Sequence, residues 1–404
     1  MVLLERHIKP AANIHVATRV EVGGKLDSSG KAVLVVAWIT LFLIGTDLFV
    51  VSPLLPFISQ TYQVDPAAAG WMVTVFSITY AASAPLFGRL SDRKGRRGLI
   101  VFGLGLFALS NALTAYAPTY GWLIASRVLA GLSVASVTPL IYAAIGDMAP
   151  SHRKGTWLSI VVSGHLTSLW IGAPLGSFLE HAMGWRFIFG LMAVAGAVLS
   201  ATHMKLWKTA PAARQASFTA GNGAAMAASV SVTFVWAISV YALYVYLGEG
   251  LYSELGASPS EIALSVTFYG IGAVIGNLIS GQLTDKFGVV NISNATLLLL
   301  AAALIGLGFT FTAGDWVYLL LFLWALTGYA AFSSYQARLA AQYPLKRGTA
   351  MAWNNTALYA GITAGSFAGG YVISAFDSFI LPFLSGGVAL AGYVLSVILS
   401  RVRK

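Results

Sequence analysis

From residue 32 onward the chain alternates between long apolar runs and short polar breaks. "AVLVVAWITLFLIGTDLFVVSPLLPFI" and "NATLLLLAAALIGLGFTF" are two of the runs. A helix needs about 20 apolar residues to cross a bilayer. The pattern predicts twelve crossing helices, near 32–58, 69–91, 98–117, 119–146, 155–180, 185–205, 225–253, 260–282, 290–313, 315–341, 348–374 and 378–400. Strand-like alternation of apolar and polar positions is absent, which excludes an outer-membrane barrel. The expected fold class is an all-α membrane protein.

The breaks sort into two kinds. Those after segments 1, 3, 5, 7, 9 and 11 carry no Lys or Arg, as in "APTYG" and "SELGASPS". Those after the even-numbered segments do, as in "DRKGRR", "APSHRKG", "TDKFG" and "AQYPLKRG", and the chain closes on "RVRK". Positive loops stay on the cytoplasmic side, so both termini and all even-numbered loops are expected there, in a cell inner membrane. Residues 1–31 read as a cytoplasmic tail without the plan of a signal peptide. Residues 206–224 are Ala/Gly-rich and basic, a joint between a half at 32–205 and a half at 225–404. A repeat supports the joint: "GRLSDRKG" (88–95) follows segment 2 and "GQLTDKFG" (281–288) follows segment 8. Parallel halves of this kind are a known transporter plan.

Composition narrows the function classes. The 404 residues are 57% hydrophobic and only 9% charged, against about a quarter charged in soluble domains. The net charge of +10 sits in the loops, where it sets topology rather than binding nucleic acid. With no cysteine, thiol nucleophiles and zinc–thiolate sites are excluded. Histidines are scattered, no metal-ligating motif occurs, and the loops are too short for a catalytic domain. That argues against a membrane enzyme, and the missing soluble domain argues against a sensor. No Walker motif is present, so ATP is not the energy source.

Six of the ten residues in "GRLSDRKGRR" are charged, which makes the ionisable residues inside the apolar runs stand out. Such residues are costly in a bilayer and usually functional. Asp47 lies about 15 residues into segment 1, roughly 22 Å deep. Arg127 lies about 7 residues into segment 4 from the other side, roughly 20 Å from the cytoplasm in a ~30 Å core. The depths match, so the two can pair directly or through water. Either the pair couples protons or it is a fixed structural ion pair. His165, near mid-membrane in segment 5, is either a proton relay or a neutral packing residue. Glu180, Glu249, Glu254 and Glu261 read as rim charges, with Glu249 a candidate for an outer gate. Arg338 reads as a snorkelling or loop charge. Trp38, Tyr80, Trp170, Tyr241, Tyr244, Trp324, Tyr335, Gln336, Asn354, Asn355 and Tyr359 recur at mid-depth and are candidates for a substrate cavity.

The loop motif Gly88-x-Leu90-x-Asp92-Arg93-x-Gly95-Arg96-Arg97, its halfway repeat and the topology resemble the major facilitator superfamily over residues 32 to 400. "RVLAG" (127–131) resembles the helix 4 motif of its proton-coupled members. "GAPLG" (172–176), with Gly172, Pro174 and Gly176, resembles the antiporter helix 5 motif. "GTDLFVVSPLLP" and "YALYVYLGEGL" resemble the twelve-helix drug:proton antiporters, with sugar-efflux permeases the nearest branch. The resemblance implies proton-driven export of a small organic molecule by a monomer, with a proton gradient and no cofactor. An uptake symporter or a facilitator on the same fold is the alternative. It also implies a conformational latch of Gly88, Asp92, Gly95, Arg96, Asp147 and, in the repeat, Asp285. Asp92 can face a helix N-terminus, Arg96 can pair with Asp147, and the glycines allow close backbone approach and a tight turn.

Overall fold

The structure is a computed structural model that describes residues 28–149, 154–206, 223–310, 316–344, 347–376 and 379–401. Most of the expected tail and joint, and the Asp92 side chain, lie outside the described residues. The first span is α1 (Ser28–Phe49) continued by α2 (Val51–Tyr62). Spans two to four are α3 (Pro66–Lys94), α4 (Arg96–Ala115) and α5 (Tyr120–Met148). The fifth is α6 (Lys154–Thr167), a π-helical turn (Ser168–Gly172) and α7 (Ala173–Met183), and the sixth is α8 (Trp185–Leu206). The seventh is α9 (Gly223–Tyr244) continued by α10 (Leu247–Leu255). Then come α11 (Pro259–Phe287), α12 (Val289–Thr310), α13 (Trp316–Gln342), α14 (Arg347–Ala375) and α15 (Ile380–Arg401). Eleven of these spans are long and apolar enough to cross a membrane. The 29-residue α14 packs among them as the twelfth.

Local chemistry sets the helix ends. Asp65 Oδ1 accepts from the Ala68 amide at 2.6 Å just ahead of Pro66, and Ser258 forms a capping box with Glu261 ahead of Pro259. Proline at the first helical position wastes no hydrogen bond. Gly95 and Gly288, the last residues of the two motif copies, turn the chain in a single residue at φ 81° and 86°, a conformation that favours glycine.

Two bundles result. In the first half α4 packs on α8 and α5, α3 on α5, and α1 on α6 and α8. In the second, α9 packs on α14 and α15, α11 on α13, and α12 on α13 and α15. The halves meet along α3–α14, α2–α10, and α7 with its π turn against α11.

We call the side bearing the 92–97 loop the basic face and the other the neutral face. The described hydrogen bonds between the halves lie from mid-depth to the neutral face. Tyr244 Oη donates to the Phe49 carbonyl at 3.2 Å, and Ser52 Oγ donates to the Tyr244 carbonyl. Thr74 Oγ1 donates to Ser366 Oγ at 2.9 Å, Ser366 Oγ to the Gly70 carbonyl at 3.1 Å, and Ser177 Oγ to the Pro259 carbonyl at 3.0 Å. Tyr246 is buried in this seam and donates to the Ser366 carbonyl at 2.9 Å. A side chain at Gly70 or Gly370 would overlap its hydroxyl. Missing side chains at Gly248 and Gly270 likewise let backbone of one half rest on backbone of the other, at Ser52 and at Leu169–Trp170.

The π turn has a geometric reason. Gly164 lies against the Trp38 carbonyl and Gly176 against Val50, so both face the first span. They are 12 positions apart, which at about 100° per residue leaves them about 120° out of phase. A π turn absorbs one residue, and the remaining 11 steps bring them to within about 20°.

Candidate functional site

Asp47, deep in α1, and Arg127, in the first turns of α5, meet in the first half. Arg127 Nη1 donates to Asp47 Oδ1 at 2.9 Å and Nη2 to Oδ2 at 3.0 Å. Both side chains are fully buried. A planar fork on a carboxylate is the geometry that lysine cannot reproduce. Phe76 of α3 and Phe189 of α8, both buried, present their ring faces to the guanidinium at 5.1 and 5.9 Å from the ring centroids. Arg127 Nε has no hydrogen-bond partner. Every other charge pair described is of a different kind: Arg96 and Asp147 also pair, but at the exposed end of α4 and α5.

The family model described as Major Facilitator Superfamily matches residues 37–249 and 229–404. The chain belongs to this superfamily. Its members are transporters rather than enzymes. The MFS-type transporter YbcL of Bacillus subtilis (strain 168) is 30% identical over 82% of this chain and 86% of its own. A probable sugar efflux transporter of Helicobacter pylori (strain ATCC 700392 / 26695) is 26% identical over 86% of this chain and 90% of its own. Among solved structures, a D-xylose–proton symporter superposes with a TM-score of 0.78 at 18% identity, covering 91% of this chain and 97% of that one. The superfamily fold explains the two six-span halves.

The structure does not bring His165 to the Asp47–Arg127 pair. Its ring packs edge-on to Phe49, centroids 5.3 Å apart, beside Gly45, and its Nδ1 has no hydrogen-bond partner. Of the latch residues, Arg96 and Asp147 pair as expected. Both lie in the same half, so their pair ties α4 to α5 and does not cross between halves. Nothing lies within 4 Å of a side-chain position at Gly88, so the close approach expected there is not made. Asp285 is exposed. In the helix 5 motif, Pro174 opens α7, while Gly172 and Gly176 take Thr46 and Val50 of the first span where side chains would be.

The cavity candidates divide. Tyr80 and Tyr359 stack across the halves with centroids 3.6 Å apart, and Tyr244 packs on Tyr241 and Phe49 at the seam. Asn354 is buried and accepts from Thr233 Oγ1 at 2.6 Å within its own half, its Nδ2 unpartnered. Asn355 and Gln336 are half-buried and Trp170 is exposed. Trp38 donates to Ser163 Oγ at 3.1 Å, and so belongs to the contact between the first and fifth spans. Tyr335 donates to the Ser229 carbonyl at 2.8 Å and Trp324 packs on Tyr269, both inside the second half.

Arg338 corrects the reading of it as a loop charge. It is 1% exposed. It donates to Ser396 Oγ at 2.9 Å and reaches Ser293 and Asn294 at 3.4 Å, tying α13 to α12 and α15. Its position near a helix end suggested solvent, and the sequence carries no sign of the serines that gather around it. A buried donor set stripped of its charge costs more than a solvated pair. Arg338→Ala is expected to lower stability by about 2–4 kcal/mol and Arg96→Ala by less than about 1. Thermal melts of the purified protein in detergent read both. Sequence reasoning also missed His203, buried in α8 with Nε2 2.9 Å from Thr40 Oγ1, and the Tyr246 seat. His203 lies in none of the quoted motifs, and Tyr246 lies within "YALYVYLGEGL", which gives no sign of the glycine seat opposite it.

Proposed function

We propose that this transporter exports a small organic molecule in exchange for protons by alternating access, with Asp47 carrying the proton and Arg127 as its counter-charge. The observation that carries the reading is the two-pronged pair, sealed from solvent deep in the first span. An ion pair in a dry site holds its proton balance by geometry. Shortening or lengthening the Arg127–Asp47 contact changes which protonation state is favoured. Asp47 sits in α1, which continues into α2 at the seam where the halves close, so rocking of the halves can reach the pair. The basic face is taken as cytoplasmic by the positive-inside rule. The described contacts between the halves then lie toward the outside.

Export is supported by the helix 5 glycines against the first span and by the name of the Helicobacter relative. The Tyr80–Tyr359 stack and the half-buried Gln336 and Asn355 are proposed to meet the substrate between the halves. The test is the reconstituted protein in liposomes with a pH dye inside, an imposed proton gradient and a panel of sugars and amphipathic drugs. Proton movement opposite to an added compound is expected. Movement in the same direction would make it a symporter, and compound movement with no proton flux a facilitator.

A further inference from the structure

The export reading leaves a charge without an explanation. When Asp47 takes a proton, the Arg127 guanidinium loses its anion while remaining in a fully buried site. An isolated cation there is very costly. Among the described residues every other carboxylate lies near a helix end, so no second anion is at hand. What meets the guanidinium besides Asp47 is two aromatic faces, Phe76 of α3 at 5.1 Å and Phe189 of α8 at 5.9 Å. Both rings are 0% exposed. Cation–π attraction extends to about 6 Å and is strongest where water is absent.

We propose that Phe76 and Phe189 form a clamp that holds the Arg127 cation during the part of the cycle in which Asp47 is protonated, and thereby set the pH at which the proton is taken up. The inference rests on Asp47 as the proton carrier. Its sign follows from the charges. While Asp47 is ionised, the rings face an ion pair whose fields largely cancel. Once Asp47 is neutral they face an uncompensated cation. The rings therefore favour the protonated state, and without them a higher proton concentration is needed to reach it. Phe76 and Phe189 are positioning residues, acting through Arg127. The other titratable groups on the neighbouring helices have contacts of their own: His165 of α6 packs on Phe49, His203 of α8 lies on Thr40, Tyr80 of α3 on Tyr359, and Tyr241 and Tyr244 of α9 on each other. None is described as bonded to the pair.

The experiment needs no substrate. The full chain is reconstituted in lipid and titrated with pH while its carboxyl C=O band is followed by infrared difference spectroscopy. The component missing in Asp47→Asn reports Asp47. A trifluorinated phenylalanine at position 76 keeps the shape of the ring and weakens the charge of its face. It is expected to move the midpoint to lower pH by about one unit, a tenfold rise in the proton concentration required. Phe76→Leu, and the same changes at Phe189, move it in the same direction, and Phe76→Tyr, which keeps the face, leaves it near the starting value. A midpoint unmoved by the fluorinated ring overturns the clamp while leaving Asp47 as the carrier. If no titrating band is lost in Asp47→Asn, the carrier role itself fails, and the clamp with it.

Discussion

Asp47→Asn is expected to reduce compound-driven proton movement in proteoliposomes to the background of empty vesicles, while exchange of labelled for unlabelled compound continues. Two effects oppose each other in this variant. Removing one charge of a buried pair is destabilising by about 3–5 kcal/mol in general. Under the export reading, however, a neutral side chain at position 47 is a state that the protein visits on every cycle. Asparagine reproduces that state with almost the same shape. The variant should therefore fold and cycle, but carry no proton. Arg127→Lys separates the two partners: a single ammonium cannot take both carboxylate oxygens at 2.9 and 3.0 Å, and the stem is the less suited to two ring faces. Coupling falls in this variant while the exposed pair of Arg96 and Asp147 is unaffected. Exchange lost together with proton flux in Asp47→Asn would mean that the pair is structural.

The second large effect concerns closure of the neutral face. Gly70→Val places a branched side chain where the Tyr246 hydroxyl sits, between Gly70 and Gly370. Tyr246 is 1% exposed and bonded to the Ser366 carbonyl, so it cannot swing away without opening the seam. The halves are expected to part at this face. The population then shifts to the opposite state, by tenfold for each 1.4 kcal/mol of overlap relieved. The chain has no cysteine, so Trp71→Cys and Phe367→Cys, whose native rings are 5.8 Å apart across the halves, give a clean reporter. A fluorescent thiol cross-linker should join this pair readily in the parent and poorly once Gly70→Val is added. Tyr246→Ala in the same background makes room again and restores cross-linking. If cross-linking does not change with Gly70→Val, the seat is not part of the closure.

The spans were legible because lipid forces every buried backbone group into a helix, and hydropathy records that in one dimension. The Asp47–Arg127 pair was legible for a related reason. Rise per residue gives depth, and a lone acid and a lone base at one depth have few other partners. Depth says nothing of azimuth. His165 shares the mid-membrane level but turns toward Phe49 and Gly45. Phe76 and Phe189 are ordinary core residues until Arg127 is seen against both rings. The register of one half on the other, which makes Gly70 a seat and leaves Gly88 open, comes from packing between spans far apart in the chain.

The π turn of the fifth span has a consequence for how the gene can change. It behaves as a one-residue insertion absorbed in place. Deleting one residue between Ser168 and Gly172 restores a plain α-helix and keeps Gly164 and Gly176 toward the first span. The same deletion a turn later swings everything beyond it by about 100° and carries Gly176 away from Val50. Drift in length is thus confined to the five positions Ser168–Gly172 of this helix, two of which, Leu169 and Trp170, lay their backbone on Gly270 of the opposite half.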